Sequence, residues 1–168
     1  MVWFFKGKRR PGWLALGVHP EHVDIVHITG EGKPGAKTSD KRYWSRPFVH
    51  EELADLYAIT DLAVSRAGAG SIGELAGNGI PAILVPLEGV ANNHQLMNAE
   101  VAGASGGCFV LMQSSLDQTL AATIFRIARD ASLRTEMRKK IRSLFREDAD
   151  VEMRKILLAC SSERCPMP

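Results

Sequence analysis

Between Ser65 and Ala99 the chain reads SRAGAGSIGELAGNGIPAILVPLEGVANNHQLMNA, and this stretch carries residue types at spacings suited to binding phosphates and polyhydroxyl groups. Gly68, Gly70 and Gly73 form GxGxxG between a strand-like apolar run and a helix-like one. Glycines so placed let the backbone turn tightly and aim the amide donors and positive dipole end of a helix at an anion such as a diphosphate. Ser71 and Glu74 follow as S-x-x-E, which has two readings. One is a capping box, in which the carboxylate accepts a hydrogen bond from the backbone of Ser71. In the other, a carboxylate one turn into an anion-binding helix accepts hydrogen bonds from the two hydroxyls of a ribose. Farther on, Asn92, Asn93, His94, Gln95 and Asn98 crowd into a short segment. Gln95 and Asn98 are spaced to share a helix face, with His94 beside Asn98. Amides both donate and accept, which suits a ring of sugar hydroxyls; the competing reading is a solvated helix start with asparagine caps.

The glycine motif supports two further readings. A dinucleotide-dependent oxidoreductase asks for an acid about 20 residues on, and Glu88 stands near that distance. That fingerprint normally lies on the first strand of its fold, whereas here a strand and a helix precede it. Alternatively, the glycines serve only close packing of a helix on a strand; a third function class is a non-catalytic binding module that keeps the fold.

The elements that must position these residues follow from hydrophobic period and breakers. VDIVHI, closed by Thr29 and Gly30, reads as a buried strand, followed by the Gly-, Pro- and Lys-rich loop EGKPGAKTSDK and an extended YWSRPFV. Leu53, Leu56 and Tyr57 fall at helical spacing within Glu51 to Ile59. LAVS, AILVP and CFVLM are further strands, separated by helices over Ser71 to Gly77 and Asn92 to Ala102. Leu116, Leu120, Ile124 and Ile127 mark one helical face behind a capping box of Ser115 and Gln118. Leu133, Met137, Ile141, Leu144 and Phe145 mark another, and Val151 to Leu158 a last helix. Short apolar strands alternating with helices predict a doubly wound, Rossmann-like α/β domain with a parallel sheet. The domain is expected over residues 21–160, with a poorly ordered lead-in over 1–20 and a frayed tail over 161–168.

Composition bounds the partners. The 168 residues, 45% of them apolar, suit one domain with its own core. The net charge of +2 is too small to imply nucleic acid. Cys108, Cys160 and Cys165 show neither a CxxC pair nor a disulfide-scaffold spacing, which favours free thiols in a reducing compartment such as the cytoplasm. No apolar run approaches the roughly 20 residues of a membrane span. His19, His22, His27 and His50 lack zinc-like spacing and there is no Asp-x-Asp, so no metal site is expected. Arg138, Lys139, Lys140, Arg142 and Arg146 cluster on one helix, diluted by Glu136, Glu147 and Asp148 as on a solvated face. Trp3, Phe4, Phe5 and Trp13 flank the basic run from Lys6 to Arg10, and either face a membrane or a further domain or form a disordered end.

The motif from Ser65 to Ala99, within a match running roughly from Val23 to Ala159, resembles the carboxyl-terminal, donor-binding half of the MurG glycosyltransferases. That family moves N-acetylglucosamine from UDP-GlcNAc to a lipid-linked muramyl-peptide in peptidoglycan synthesis. The resemblance implies a GT-B fold and inverting transfer, with UDP-GlcNAc as donor substrate and no cofactor. It implies uracil contacts at Phe48 and Val49, diphosphate contacts at Ala69, Gly70, Ser71 and Arg66, and a ribose contact at Glu74. His94, Gln95 and Asn98 would meet the GlcNAc. The family's amino-terminal half, with its acceptor site, presumed catalytic base and membrane-contacting patch, has no counterpart in the sequence, and VWFFKGKRRPGWLALG stands where a glycine-rich strand and turn open the family's second half. The chain alone is therefore expected to be inactive. It is either a fragment or a subunit that docks on an acceptor-binding partner at the inner face of the cell membrane. The second arrangement resembles the two-subunit eukaryotic GlcNAc transferase that uses dolichol lipids.

Overall fold

The structure is a computed structural model and describes residues 2–6, 23–33, 35, 39, 41–88 and 93–162. Six strands form one sheet: β1 (Val2–Lys6), β2 (Asp24–Ile28), β3 (Tyr43–Arg46), β4 (Leu62–Ser65), β5 (Ala82–Leu84) and β6 (Cys108–Val110), in the order β3-β2-β1-β4-β5-β6. The helices are α1 (Leu53–Ile59), α2 (Ala69–Asn78), α3 (His94–Ala104), α4 (Leu116–Arg129), α5 (Ala131–Arg142) and α6 (Ala149–Ser162). Pairs β2–β3, β4–β5 and β5–β6 are parallel. This is the Rossmann-like α/β architecture expected from the alternation of elements.

β1 departs from the expected parallel sheet and from the expected disordered lead-in. It runs antiparallel to both neighbours, Val2 opposite Ile28 on β2 and opposite Ser65 on β4. VWFFK is a run of large apolar residues ended by a lysine, with no polar-apolar alternation to mark it as a strand. The pairing supplies the ladder partners that β2 and β4 otherwise lack. The rest of the lead-in, residues 1 and 7–20, lies outside the described residues, as do 163–168 of the tail, whereas Ser161 and Ser162 continue α6.

The sheet divides the core cleanly by its pleat. On one face Ala63, Ala82 and Leu84 meet Tyr57, Leu75, Ala76, Ala99 and Ala102 from α1, α2 and α3. On the other, Leu62, Val64, Ile83 and Val85 meet Leu120, Ile124 and Ile127 of α4. β4 and β5 are buried at every residue, as strands covered on both sides must be. Each fully buried Leu or Ile here is worth about 1.5–3 kcal/mol. α5 closes the edge, with Met137 in one cluster and Ile141 in the other.

Helix boundaries rest on backbone devices that the sequence reading placed differently. α2 begins two residues earlier than expected, behind an extended Gly68. It ends at Gly79 in the left-handed region (φ 63°), where the amides of Gly79 and Ile80 bond back to Ala76 and Leu75. α3 starts at His94, with Asn93 left-handed (φ 47°) before it; Asn92 lies outside the described residues. The capping box at Ser115 is not formed: the hydroxyl donates to the Met112 carbonyl, because a 3-10 turn over Gln113–Ser115 leads into α4. Asp130, by contrast, caps α5 by accepting from the Leu133 amide at 2.9 Å. In the basic cluster, Arg138 pairs with Asp61, Lys140 with Glu136 and Arg146 with Asp148, as on a solvated face. No helix among the described residues is long and apolar enough to cross a membrane.

Two measurements check this packing. A Cβ on Gly107 would stand 2.3 Å from the backbone nitrogen of Ile141. Gly107→Ala should therefore lose about 1–3 kcal/mol in chemical denaturation, as overpacking does. At Gly73 a Cβ meets nothing within 4 Å, so Gly73→Ala should hold or gain up to about 1 kcal/mol from helix propensity. Burial pushes the Cys108 thiol up to about 11, whereas Cys160 is exposed. Alkylation of the native chain should accordingly modify Cys160 well before Cys108, as read by peptide mapping.

Candidate functional site

Because β2 to β6 run in one direction, the segments that follow them emerge at one edge of the sheet. This carboxyl edge is where open α/β sheets bind ligands. Phe48 and Val49 follow β3, Arg66 to Ser71 follow β4, and His94 to Asn98 lie on the helix after β5. β3 and β4 are separated by β2 and β1, about 14 Å between strand axes at normal spacing. A ligand touching both must be elongated.

The start of α2 is the best-defined part. Gly68 sits at its N-cap and no side chain caps the helix, the first helical bond running from the Ile72 amide to the Gly68 carbonyl. The amides of Ala69, Gly70 and Ser71 are therefore the donors that a helix start leaves without intrahelical partners. Ala69 and Gly70 are exposed. An added Cβ would meet nothing within 4 Å at Gly70 or Gly73, and only the Ser71 hydroxyl, at 3.9 Å, at Gly68. Close helix-to-strand packing is therefore not what these glycines serve. They keep the surface above the helix start open.

Glu74 is not part of a capping box, since Gly68 rather than Ser71 precedes the helix. Its Oε2 accepts a hydrogen bond from the hydroxyl of Tyr57 at 2.5 Å, a contact between α2 and α1 that the sequence reading missed. In the sequence Tyr57 falls on an apolar helical face, and only its hydroxyl signals a polar partner. Burial, then the bond to Glu74 and the charge of Glu74, raise the Tyr57 phenol well above its usual range, so it stays protonated as a donor.

α3 brings its amides to the same edge but spends part of each on the protein. Asn98 Nδ2 donates to the Ala67 carbonyl at 3.2 Å, and Gln95 Oε1 accepts from the Leu87 amide at 3.1 Å. These bonds tie α3 to the β4–α2 turn and to the β5 exit. They leave the Asn98 carbonyl oxygen and the Gln95 amide nitrogen for other partners. His94 is exposed at the helix start. Arg66 is also engaged, its Nη1 donating to the carbonyls of Val85 and Pro86 at 3.3 and 3.4 Å, so the guanidinium braces the ends of β4 and β5 while keeping its charge at this edge.

At the far side of the edge, Phe48 is 54% exposed and stacks on His50, with ring centroids 6.4 Å apart. The amides of Thr29 and Gly30 bond to the carbonyls of Arg46 and Pro47, fixing the turn that presents it. Glu88, the acid in the dinucleotide reading, accepts from the Ser114 amide at 3.4 Å. Beside the α2 start, an open cleft of about 300 Å³ is lined by Ala69, Ile72, Gly73, Asn98, Val101, Ala102 and Leu144. His27 lies in β2 and its Nδ1 pairs with the Tyr43 hydroxyl at 2.6 Å. Among the described residues no group of three or more His, Cys, Asp or Glu is placed to hold a metal ion.

Comparisons with known proteins place the chain by family and fold. Over 149 residues the chain is 34% identical to a Crocosphaera subtropica protein named UDP-N-acetylglucosamine--N-acetylmuramyl-(pentapeptide) pyrophosphoryl-undecaprenol N-acetylglucosamine transferase, a match covering 88% of this chain and 41% of the relative. A protein of the same name from Rippkaea orientalis is 40% identical over 107 residues, covering 63% of this chain and 29% of the relative. The crystal structure of MurG from Acinetobacter baumannii superposes with a TM-score of 0.63 at 28% identity, over 70% of this chain and 35% of that one. The chain thus spans less than half the length of these relatives. Residues 12–153 match the glycosyltransferase family 28 C-terminal domain, and the chain belongs to that family.

Proposed function

We propose that the chain is the UDP-GlcNAc-binding half of an inverting glycosyltransferase that transfers GlcNAc to a lipid-linked muramyl-peptide, converting lipid I to lipid II in peptidoglycan synthesis. The observation that carries this reading is the open, uncapped start of α2 with Glu74 presented one turn into the same helix. The amides of Ala69, Gly70 and Ser71 receive the diphosphate, and Glu74 accepts from the ribose hydroxyls. Phe48 packs on the uracil and Val49 hydrogen-bonds it through its backbone, at the distance an elongated ligand requires. The Gln95 amide nitrogen and the Asn98 carbonyl oxygen, with His94 beside them, face the sugar. Arg66 acts on the phosphates through its charge. The names of the relatives support the choice of donor.

As the acceptor hydroxyl attacks the anomeric carbon, negative charge develops on the departing UDP. Preorganised amides and a helix dipole stabilise that charge without needing to reorganise. The acceptor, its catalytic base and the contact with the inner face of the cell membrane belong to a partner domain or subunit. The chain itself resides in the cytoplasm and does not complete the transfer alone. Purified chain that glycosylated a lipid acceptor would overturn that last statement.

Calorimetry with UDP, UDP-GlcNAc and NAD tests the reading directly. UDP and UDP-GlcNAc should bind and NAD should not; the reverse pattern would restore the oxidoreductase. Glu74→Ala should weaken UDP binding by about tenfold or more, the scale of hydrogen bonds to a charged group. Gly70→Leu separates binding from packing: its Cβ has open space, so the fold should be kept while UDP binding is lost. A Gly70→Leu chain that unfolded, or that bound UDP normally, would contradict the assignment.

A further inference from the structure

Glu74 stands on an exposed part of α2, where a long carboxylate side chain samples several rotamers and loses that freedom when it binds. In this fold its direction is set before any ligand arrives. Tyr57 is only 9% exposed and its ring belongs to the core cluster that holds Ala63, Leu75 and Ala76. From there its hydroxyl crosses from α1 to α2 and donates to Glu74 Oε2 at 2.5 Å. The backbone at the same residue is also braced, the Asn78 side chain donating to the Glu74 carbonyl at 2.9 Å. An ionised carboxylate has about four lone-pair sites. The Tyr57 bond uses one of them and leaves Oε1 with both of its own.

Recognition of a vicinal diol needs the carboxylate edge turned toward two hydroxyls on adjacent carbons. A carboxylate anchored at one oxygen meets that requirement at a smaller entropic cost than one that rotates freely. We propose that Tyr57 is a positioning residue of the nucleotide site: by holding Glu74 Oε2 it presents the carboxylate to the ribose diol and so selects ribonucleotides over 2′-deoxyribonucleotides. This rests on the reading of Glu74 as the ribose contact. Tyr57 acts through Glu74 and does not itself touch the nucleotide.

The test is calorimetric titration of the whole chain with UDP and with 2′-deoxy-UDP, in the wild type, Tyr57→Phe, Glu74→Ala and the double variant. Phe keeps the ring that fills the core and removes only the hydroxyl. The wild type should prefer UDP by about tenfold or more, and Tyr57→Phe should reduce that preference to within about threefold. Glu74→Ala should abolish the preference, and adding Tyr57→Phe to it should change nothing further. Tyr57→Leu, which alters the packing differently, should lose the preference as well. A Tyr57→Phe chain that kept the full preference would overturn the positioning role while leaving Glu74 in place, even if both ligands bound more weakly. A wild type that bound no UDP would overturn this inference together with the reading beneath it.

Discussion

The site depends on a face of the sheet built from very small side chains. Ala63 and Ala82 project toward α2 and α3, which answer with Ala76, Ala99 and Ala102, all essentially buried. Small residues on both sides let helices and strands approach closely, and close approach lets the groups at the helix starts reach across to neighbouring loops. The Asn98 amide can meet the Ala67 carbonyl, and the Tyr57 hydroxyl can meet Glu74, only because these elements sit close together. Larger residues at the alanine positions would push α2 and α3 outward and separate the groups that share the carboxyl edge.

Within that frame the residues at the edge divide their work. Arg66 and Asn98 donate to backbone carbonyls of neighbouring segments and Gln95 accepts from the Leu87 amide, so the edge is braced by the same side chains proposed to meet the donor. The start of α2 is left bare, with no side-chain cap and with open space above Gly70 and Gly73. A helix start with glycine rather than Ser, Thr, Asp or Asn at its cap forgoes roughly a few tenths of a kcal/mol of local stability. That cost is consistent with a ligand supplying the missing acceptors, in keeping with the tendency of binding sites to break local rules of stability.

The Rossmann-like alternation, the strands LAVS, AILVP and CFVLM, and the helices around them were legible because apolar period and glycine or proline breakers are local properties of the chain. The glycine motif and the polar run after AILVP were legible for the same reason. β1 was not, because its five residues carry no polar-apolar alternation and its antiparallel sense is set by the strands it meets. The Ser115 capping box failed because a 3-10 turn, decided by the packing around it, took the hydroxyl for the Met112 carbonyl.

The sequence by itself determined which chemistry is present: amides behind glycines, a carboxylate one turn later, and a set of side-chain amides thirty or so residues on in the chain, together with the family to which they belong. Tertiary structure alone decided that Glu74 does not cap its helix, although S-x-x-E allows a cap as well as a ligand contact. The choice fell to where α2 begins and to the Tyr57 hydroxyl, a partner 17 residues away on another helix. Motif spacing encodes contacts within a turn or two of helix. Which oxygen of a carboxylate is already occupied, and which way the other faces, depends on how separate helices pack.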